Sequence, residues 1–271
     1  MVLSKRARFL LRLFVVIGLA LIYIPLLVVL VNSVNPSRTF GWPPSGITFV
    51  WWQKAIDSQG MLTALWTSVK AGLGATAVAL VLGSMAAFAV ARFRFFGREA
   101  VSLFVILPIA LPGVITGIAL NNAFLSILGP FGGHLGLATV IVGHATFCIV
   151  VVYNNVLARL RRTGTSLEEA SADLGARPVQ TFRLVTLPAV RSALFAGGLL
   201  AFALSFDEII VTTFTAGPGI QTLPVWIFGN LFRPNQAPVV NVVAAALIVV
   251  SFLPVWLAQR LGGGGTAGGR L

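Results

Sequence analysis

Two pairs of adjacent carboxylates stand out in a chain that has only 7 acidic residues. Asp207-Glu208 lies within an apolar run, Leu204-Ser205-Phe206-Asp207-Glu208-Ile209-Ile210-Val211. An ionised group inside hydrocarbon costs about 3 kcal/mol or more, so such a residue normally faces a wet cavity or a partner. One or two carboxylates in a wet cavity are suitable counter-charges for a cation passing through it. Adjacent helical positions project about 100° apart, so one member of the pair faces that pathway while the other pairs with a neighbour. Asp207 is the candidate for the pathway. The alternative is that Asp207 and Glu208 are both structural, paired with a cation such as Lys70 or with another chain. The second pair, Glu168-Glu169, lies in a polar segment.

The remaining chemistry is sparse. Asn121 and Asn122 fall in an apolar segment and can hydrogen-bond either amines or neighbouring helices. His144 reads as a hydrogen-bonded helix contact rather than a proton relay. Tyr153 and Trp226 could offer cation–π faces, although single aromatics are more often packing residues. Cys148 sits in an apolar run and reads as a small buried hydrophobe. There is no CxxC or His-rich tract for a metal or redox centre. No GxxxxGK[ST] phosphate loop exists, so ATP and Mg²⁺, if used, belong to another polypeptide. No hydrolase constellation has supporting context, and the chain is expected to bind no cofactor of its own.

The elements that hold these residues are set by composition. Apolar residues make up 57% of the 271 and charged residues 10%, against about 25% charge in soluble domains. The mean hydropathy is +0.95. Six apolar segments emerge, near 9–33, 62–91, 100–128, 135–157, 193–214 and 239–259. Each has the ~20 residues needed to span ~30 Å of hydrocarbon as a helix. The expectation is an all-α membrane protein, residues 1–271 forming a single domain of six transmembrane helices. The first run lacks a small-x-small cleavage site after it and reads as a retained helix rather than a signal peptide.

Most of the 19 basic residues fall on one side. They occupy 5–12, 92–98, 158–192 and the C-terminal end, whereas Arg38, Lys54 and Arg233 fall opposite. Both termini are therefore expected on the cytoplasmic side of the membrane. The net charge of +12 is a topology signal, and no nucleic-acid partner is implied. Small residues at i, i+4 spacing (Ala79, Gly83, Ala87; Gly113, Gly117) favour close helix packing in lipid. Pro108 and Pro112 should bend the third segment. Trp42, Trp51 and Trp52 read as interfacial anchors, and the Gly262–Gly269 stretch as a flexible tail.

The 158–192 segment is the one ordered polar pattern. Ser166-Leu167-Glu168-Glu169 reads as a capping box that starts a short helix running through Leu174. Gly175 is placed to stop it in a left-handed conformation. Arg177-Pro178 restarts a helix, and Leu187-Pro188 is expected to end that helix before the fifth crossing.

Glu169-Ala170-Ser171, three residues, Gly175, nine residues and Val185-Thr186-Leu187-Pro188 resembles the EAA loop of ABC importer permeases. Ser171 stands in place of the second alanine of that pattern and Val185 in place of its isoleucine. The resemblance implies a type I ABC importer permease fold. It also implies a coupling helix, with Glu168, Glu169, Ala170, Ser171, Gly175, Leu187 and Pro188 in its loop, that docks on a cytoplasmic ATPase. Further on, Ser205-Phe206-Asp207-Glu208 with Gly217-Pro218 and Leu223-Pro224 is similar to the spermidine/putrescine permease subfamily, most of all its second permease subunit. That implies a second permease, two ATPase subunits and a periplasmic or surface-tethered binding protein. It also implies polyamine import by alternating access. Related permeases move 4-aminobutyrate, opines and other solutes, which stays the alternative. An ion-coupled secondary transporter would have no need of the 166–188 pattern.

Overall fold

A computed structural model describes residues 4–262, and side-chain surroundings through Ser251. The expected Gly-rich tail lies beyond them save for its first residue. Among the described residues there is no strand. The order is α1 (Lys5–Asn32), α2 (Val50–Ile56), α3 (Gln59–Arg92), α4 (Arg98–Ala110), α5 (Gly113–Leu128), α6 (Leu137–Thr163), α7 (Ser166–Asp173) and α8 (Pro178–Thr181). A π-helical stretch, Phe182–Thr186, leads into α9 (Leu187–Phe206). Then come α10 (Ile210–Thr215), α11 (Leu223–Leu231) and α12 (Ala237–Gly262).

Among the described residues five helical stretches are long and apolar enough to cross a membrane: Lys5–Asn32, Gln59–Arg92, Gly113–Phe131, Leu137–Thr163 and Pro178–Phe206. Ala237–Ser251 of α12 is a shorter apolar stretch, at the sixth expected position. The third and fifth expected crossings are each interrupted. Leu111 is extended and Pro112 precedes α5, so the third breaks there, while Pro108 stays inside α4. The cause is local, because a proline lacks the donor that would continue the ladder and disfavours helix in the residue before it.

The chain forms two compact units. The described part of 1–61 and 227–271 makes one, in which α1 and α2 both pack on α12. Trp51 is a buried pillar of this unit rather than an interfacial anchor. Its Nε1 donates to the Asn35 carbonyl at 3.0 Å, and Lys54 Nζ lies 4.7 Å from its ring centre. Trp42, by contrast, is exposed.

Residues 62–226 make the other unit, which carries both carboxylate pairs. Its centre is α6, packed most extensively on α9, with Val140, Val150, Val152, Val156 and Leu160 buried. The small-residue spacing of α3 serves the close approach expected of it. Ala79 and Ala87 are buried, and a Cβ added at Gly83 would sit 2.9 Å from the Ile149 carbonyl oxygen of α6. Cys148 is buried in this core, its Sγ 3.3 Å from the Ala201 carbonyl.

Candidate functional site

The loop from Gly164 to Pro188 is built largely from short-range rules. The α7 helix begins at Ser166, so Thr165 and not Ser166 precedes it, one residue earlier than the capping-box reading placed the cap. Thr165 adopts φ −111° and ψ −10° and makes no side-chain cap. Its hydroxyl instead donates to Glu169 Oε1 at 2.6 Å. Glu168 and Glu169 occupy the first turn, where carboxylates oppose the helix dipole favourably. At the other end Gly175 adopts φ +80°, the left-handed conformation expected of it. The Gly175 amide donates to the Ala172 carbonyl at 2.9 Å and the Ala176 amide to Ser171 at 3.1 Å. That pair of bonds is the Schellman stop.

Pro178 then occupies the first position of α8, with the Arg177 amide donating to Gln180 Oε1 at 2.8 Å. Leu187-Pro188 does not end the helix as expected. The chain stays helical from Pro178 to Phe206 because the π stretch widens the turn ahead of the proline. The Leu187 amide donates to Phe182, five residues back. The wider turn relieves the crowding that a proline ring imposes on the carbonyl four residues earlier.

The two glutamates differ sharply in their surroundings. Glu168 points inward: its Oε2 lies 2.8 Å from Arg92 Nε, and the two side chains are 22% and 14% exposed. Thr186 Oγ1 donates to Glu168 Oε1 at 3.0 Å. Nothing in the sequence marks Arg92 or Thr186 as a site residue; there Arg92 reads only as one charge in the topology pattern. Glu169, Ala170 and Gly175 face outward, with Leu167 59% and Leu174 89% exposed, and Ser171 is half-buried.

Asp207 and Glu208 are placed not within a continuous helix but at a break between α9 and α10. The Asp207 amide closes α9 on the Ala203 carbonyl. Glu208 Oε1 accepts from the Val211 amide at 2.9 Å and so caps the restart. Asp207 is exposed, and its carboxylate has no hydrogen bond or ion pair among the described residues. Lys70 is exposed as well and is in no ion pair among them.

Neighbouring helices brace this break. His144 of α6 is fully buried, with Nδ1 2.7 Å from Ser205 Oγ and Nε2 2.8 Å from Thr212 Oγ1. Thr212 itself donates to the Glu208 carbonyl at 2.9 Å. One arrangement of protons satisfies all three bonds: Nε2–H donates to Thr212, and Nδ1 accepts from Ser205. His144 thus ties the residues before the break to those after it. Asn121 of α5 donates to the Phe214 carbonyl at 2.6 Å, a helix contact, whereas Asn122 is exposed. Gly117 seats the Phe214 ring, where an added Cβ would come within 2.5 Å. Tyr153 is buried with its hydroxyl 2.8 Å from Ser102 Oγ, and Trp226 is 6% exposed; both are packing positions. Among the described residues no cluster of His, Cys, Asp or Glu could hold a metal.

A family model for the binding-protein-dependent transport system inner membrane component matches residues 79–263. The putrescine transport system permease protein PotI of Escherichia coli (strain K12) is 32% identical over 252 residues, 90% of this chain and 89% of that protein. The spermidine/putrescine transport system permease protein PotC of Haemophilus influenzae is 31% identical over 256 residues, 94% of this chain and 97% of the other. A solved bacterial ABC transporter involved in import of the acidic polysaccharide alginate superposes with a TM-score of 0.70, over 98% of this chain and 100% of that one. At 16% identity it shares the fold alone.

Proposed function

The chain belongs to the family of inner-membrane components of binding-protein-dependent transport systems, and from that premise we propose that it is one of two permease subunits of an ATP-driven polyamine importer. It crosses the membrane six times, α4 with α5 and α9 with α10 each forming one interrupted crossing, and both termini are cytoplasmic. The supporting observation is the charge pattern: basic residues gather at 5–12, 92–98 and 158–192.

The observation that carries the mechanism is the build of α7. It is a short helix pinned inward by Glu168 and offering Leu167, Ala170 and Leu174 outward. Such a face fits a protein partner, here a separate ATPase that binds ATP and Mg²⁺. Glu169, Ser171 and Gly175 shape that contact, and Leu187-Pro188 joins it to the fifth crossing. Closure of two ATPases on ATP moves α7 and reorients the crossings, so that a cavity shared with the second permease opens to a loaded binding protein.

Asp207 is the counter-charge for the passing cation. It is exposed at a break in a crossing and lacks a protein partner among the described residues. Asn122 lies exposed on α5 and can add a polar contact, whereas Glu208 and Asn121 hold the break together. A polycation suits a pathway with an unpaired carboxylate, and PotI and PotC are by name putrescine and spermidine/putrescine permeases.

Uptake of labelled putrescine, in cells lacking other polyamine systems, tests the assignment. With the chain, uptake is expected to be ATP-dependent and competed by spermidine; without it, uptake is lost. Competition by 4-aminobutyrate but not spermidine moves the substrate to amino acids or opines. Uptake that persists when ATP is depleted but an ion gradient remains rejects the ATP-driven class.

A further inference from the structure

The α7 helix is flanked by a glycine at each end. Gly164 precedes it at φ +64° and Gly175 follows it at φ +80°, both in conformations that glycine adopts freely. None of its residues is buried. A push on such an exposed helix reaches the crossings through whatever ties it to them.

One structure supplies that tie. Arg92 is the last residue of α3. Its Nη2 donates to the Gly164 carbonyl at 2.7 Å and to Glu168 Oε1 at 3.1 Å. Its Nη1 donates to the Leu160 carbonyl of α6 at 3.4 Å. Glu168 in turn accepts from Thr186, in the turn that enters α9. The ends of α3, α6 and α9 therefore meet α7 at the one ion pair found among the described residues. The guanidinium holds the carboxylate by one charge-assisted hydrogen bond from Nη2 and a 2.8 Å ion-pair contact at Nε, an atom that makes no hydrogen bond of its own. Both side chains are mostly covered, 14% exposed for Arg92 and 22% for Glu168, so salt screens the pair less than it would a surface pair.

We propose that Arg92–Glu168–Thr186 is the transmission joint of this subunit, making the inner ends of α3, α6 and α9 follow α7 as a unit. Arg92, Glu168 and Thr186 are then positioning residues for transport. The inference rests on the reading of α7 as the ATPase-contacting helix.

The test uses the complete transporter, with its partner subunits, in liposomes energised by ATP. Glu168→Gln keeps the shape and an acceptor for Thr186 but removes the ion pair. Substrate moved per ATP hydrolysed is expected to fall about tenfold, the size of a typical coupling free energy, with assembly unchanged. Arg92→Lys, which keeps the charge without the fork, should fall between wild type and Arg92→Gln. Spin labels on D173C and F96C read the motion directly: their separation should stay constant through the ATP cycle in wild type and vary in Glu168→Gln. A wild-type ratio in Glu168→Gln overturns the joint. So does a proportionate loss of uptake and hydrolysis, which marks a merely structural pair. If wild type itself shows no ATP-dependent uptake, the failure belongs to the proposed function instead.

Discussion

The two acidic pairs are solved alike in one respect and oppositely in another. In each, one carboxylate is held by the protein and its neighbour is presented outward: Glu168 with Glu169, and Glu208 with Asp207. On α7 the roughly 100° between successive helical positions makes that division, whereas at 207–208 it falls at the break between α9 and α10. The difference lies in what holds the inner member. Glu168 meets a guanidinium from a helix 76 residues away in sequence. Glu208 meets only the backbone amide of Val211, three residues on. The first pair therefore joins separate segments, while the second shapes a single turn and leaves Asp207 without an ion pair among the described residues. Uncompensated charge at a helix break is useful where a mobile cation can complete it.

Damage to the first region should have the larger effect. Replacing Gly175 with valine forces a β-branched residue to φ +80°, a strain of about 1–3 kcal/mol. Relief requires opening the Schellman stop, which re-aims α8 and the exposed face of α7. Uptake is expected to fall more than about tenfold, a scale that small misplacements readily reach. ATP hydrolysis by the assembled complex should persist. Measuring both in one preparation checks this, and normal uptake in Gly175→Val would remove the loop from the coupling pathway.

The sequence is legible where structure is local and opaque where it is not. Gly175 and Pro178 behave as their residue types require, because a left-handed stop and a first-turn proline depend on nothing beyond a few neighbours. Apolar length alone locates the five stretches that, among the described residues, are long enough to cross a membrane. The break at 207–209 has no glycine or proline to announce it. Its nearest sequence signal is the β-branched run Ile209–Thr213, which is stiff in a helix. What stabilises it is His144, whose partners Ser205 and Thr212 lie 61 and 68 residues away. Arg92 was hidden for the same reason, since a charge near the end of a crossing looks alike whether it marks topology or holds a joint. Pro188 misled in the other direction: the π turn that tolerates it leaves no mark in composition.

Within the second region, Asp207→Asn should cost less than Gly175→Val but more than any change to its neighbour. Removing one exposed counter-charge weakens attraction for a cation by about 1 kcal/mol at the effective dielectric of a wet cavity, so uptake at low substrate should drop several-fold. Assembly and basal ATP hydrolysis should be unaffected, because the side chain holds no protein partner among the described residues. A concentration series separates the outcomes. A raised half-saturation with an unchanged maximum supports the pathway role, and unaffected uptake assigns Asp207 to the surface.

The smallest effect is expected for Glu208→Gln, and it is the sharpest probe of the division within the pair. Glutamine keeps the oxygen that accepts from the Val211 amide at 2.9 Å, so the α10 restart survives while the charge is lost. Uptake should stay within about twofold of wild type, and thermal stability in detergent should change by less than about 0.5 kcal/mol, as for a surface substitution. Glu208→Ala, which removes the acceptor, should destabilise by about 1 kcal/mol, as the loss of a helix cap does. If Glu208→Gln instead depresses uptake as strongly as Asp207→Asn, both carboxylates serve the cation. The inner member of this pair would then hold its turn and line the pathway at once, a combination that Glu168, closed behind Arg92 and Thr186, cannot offer.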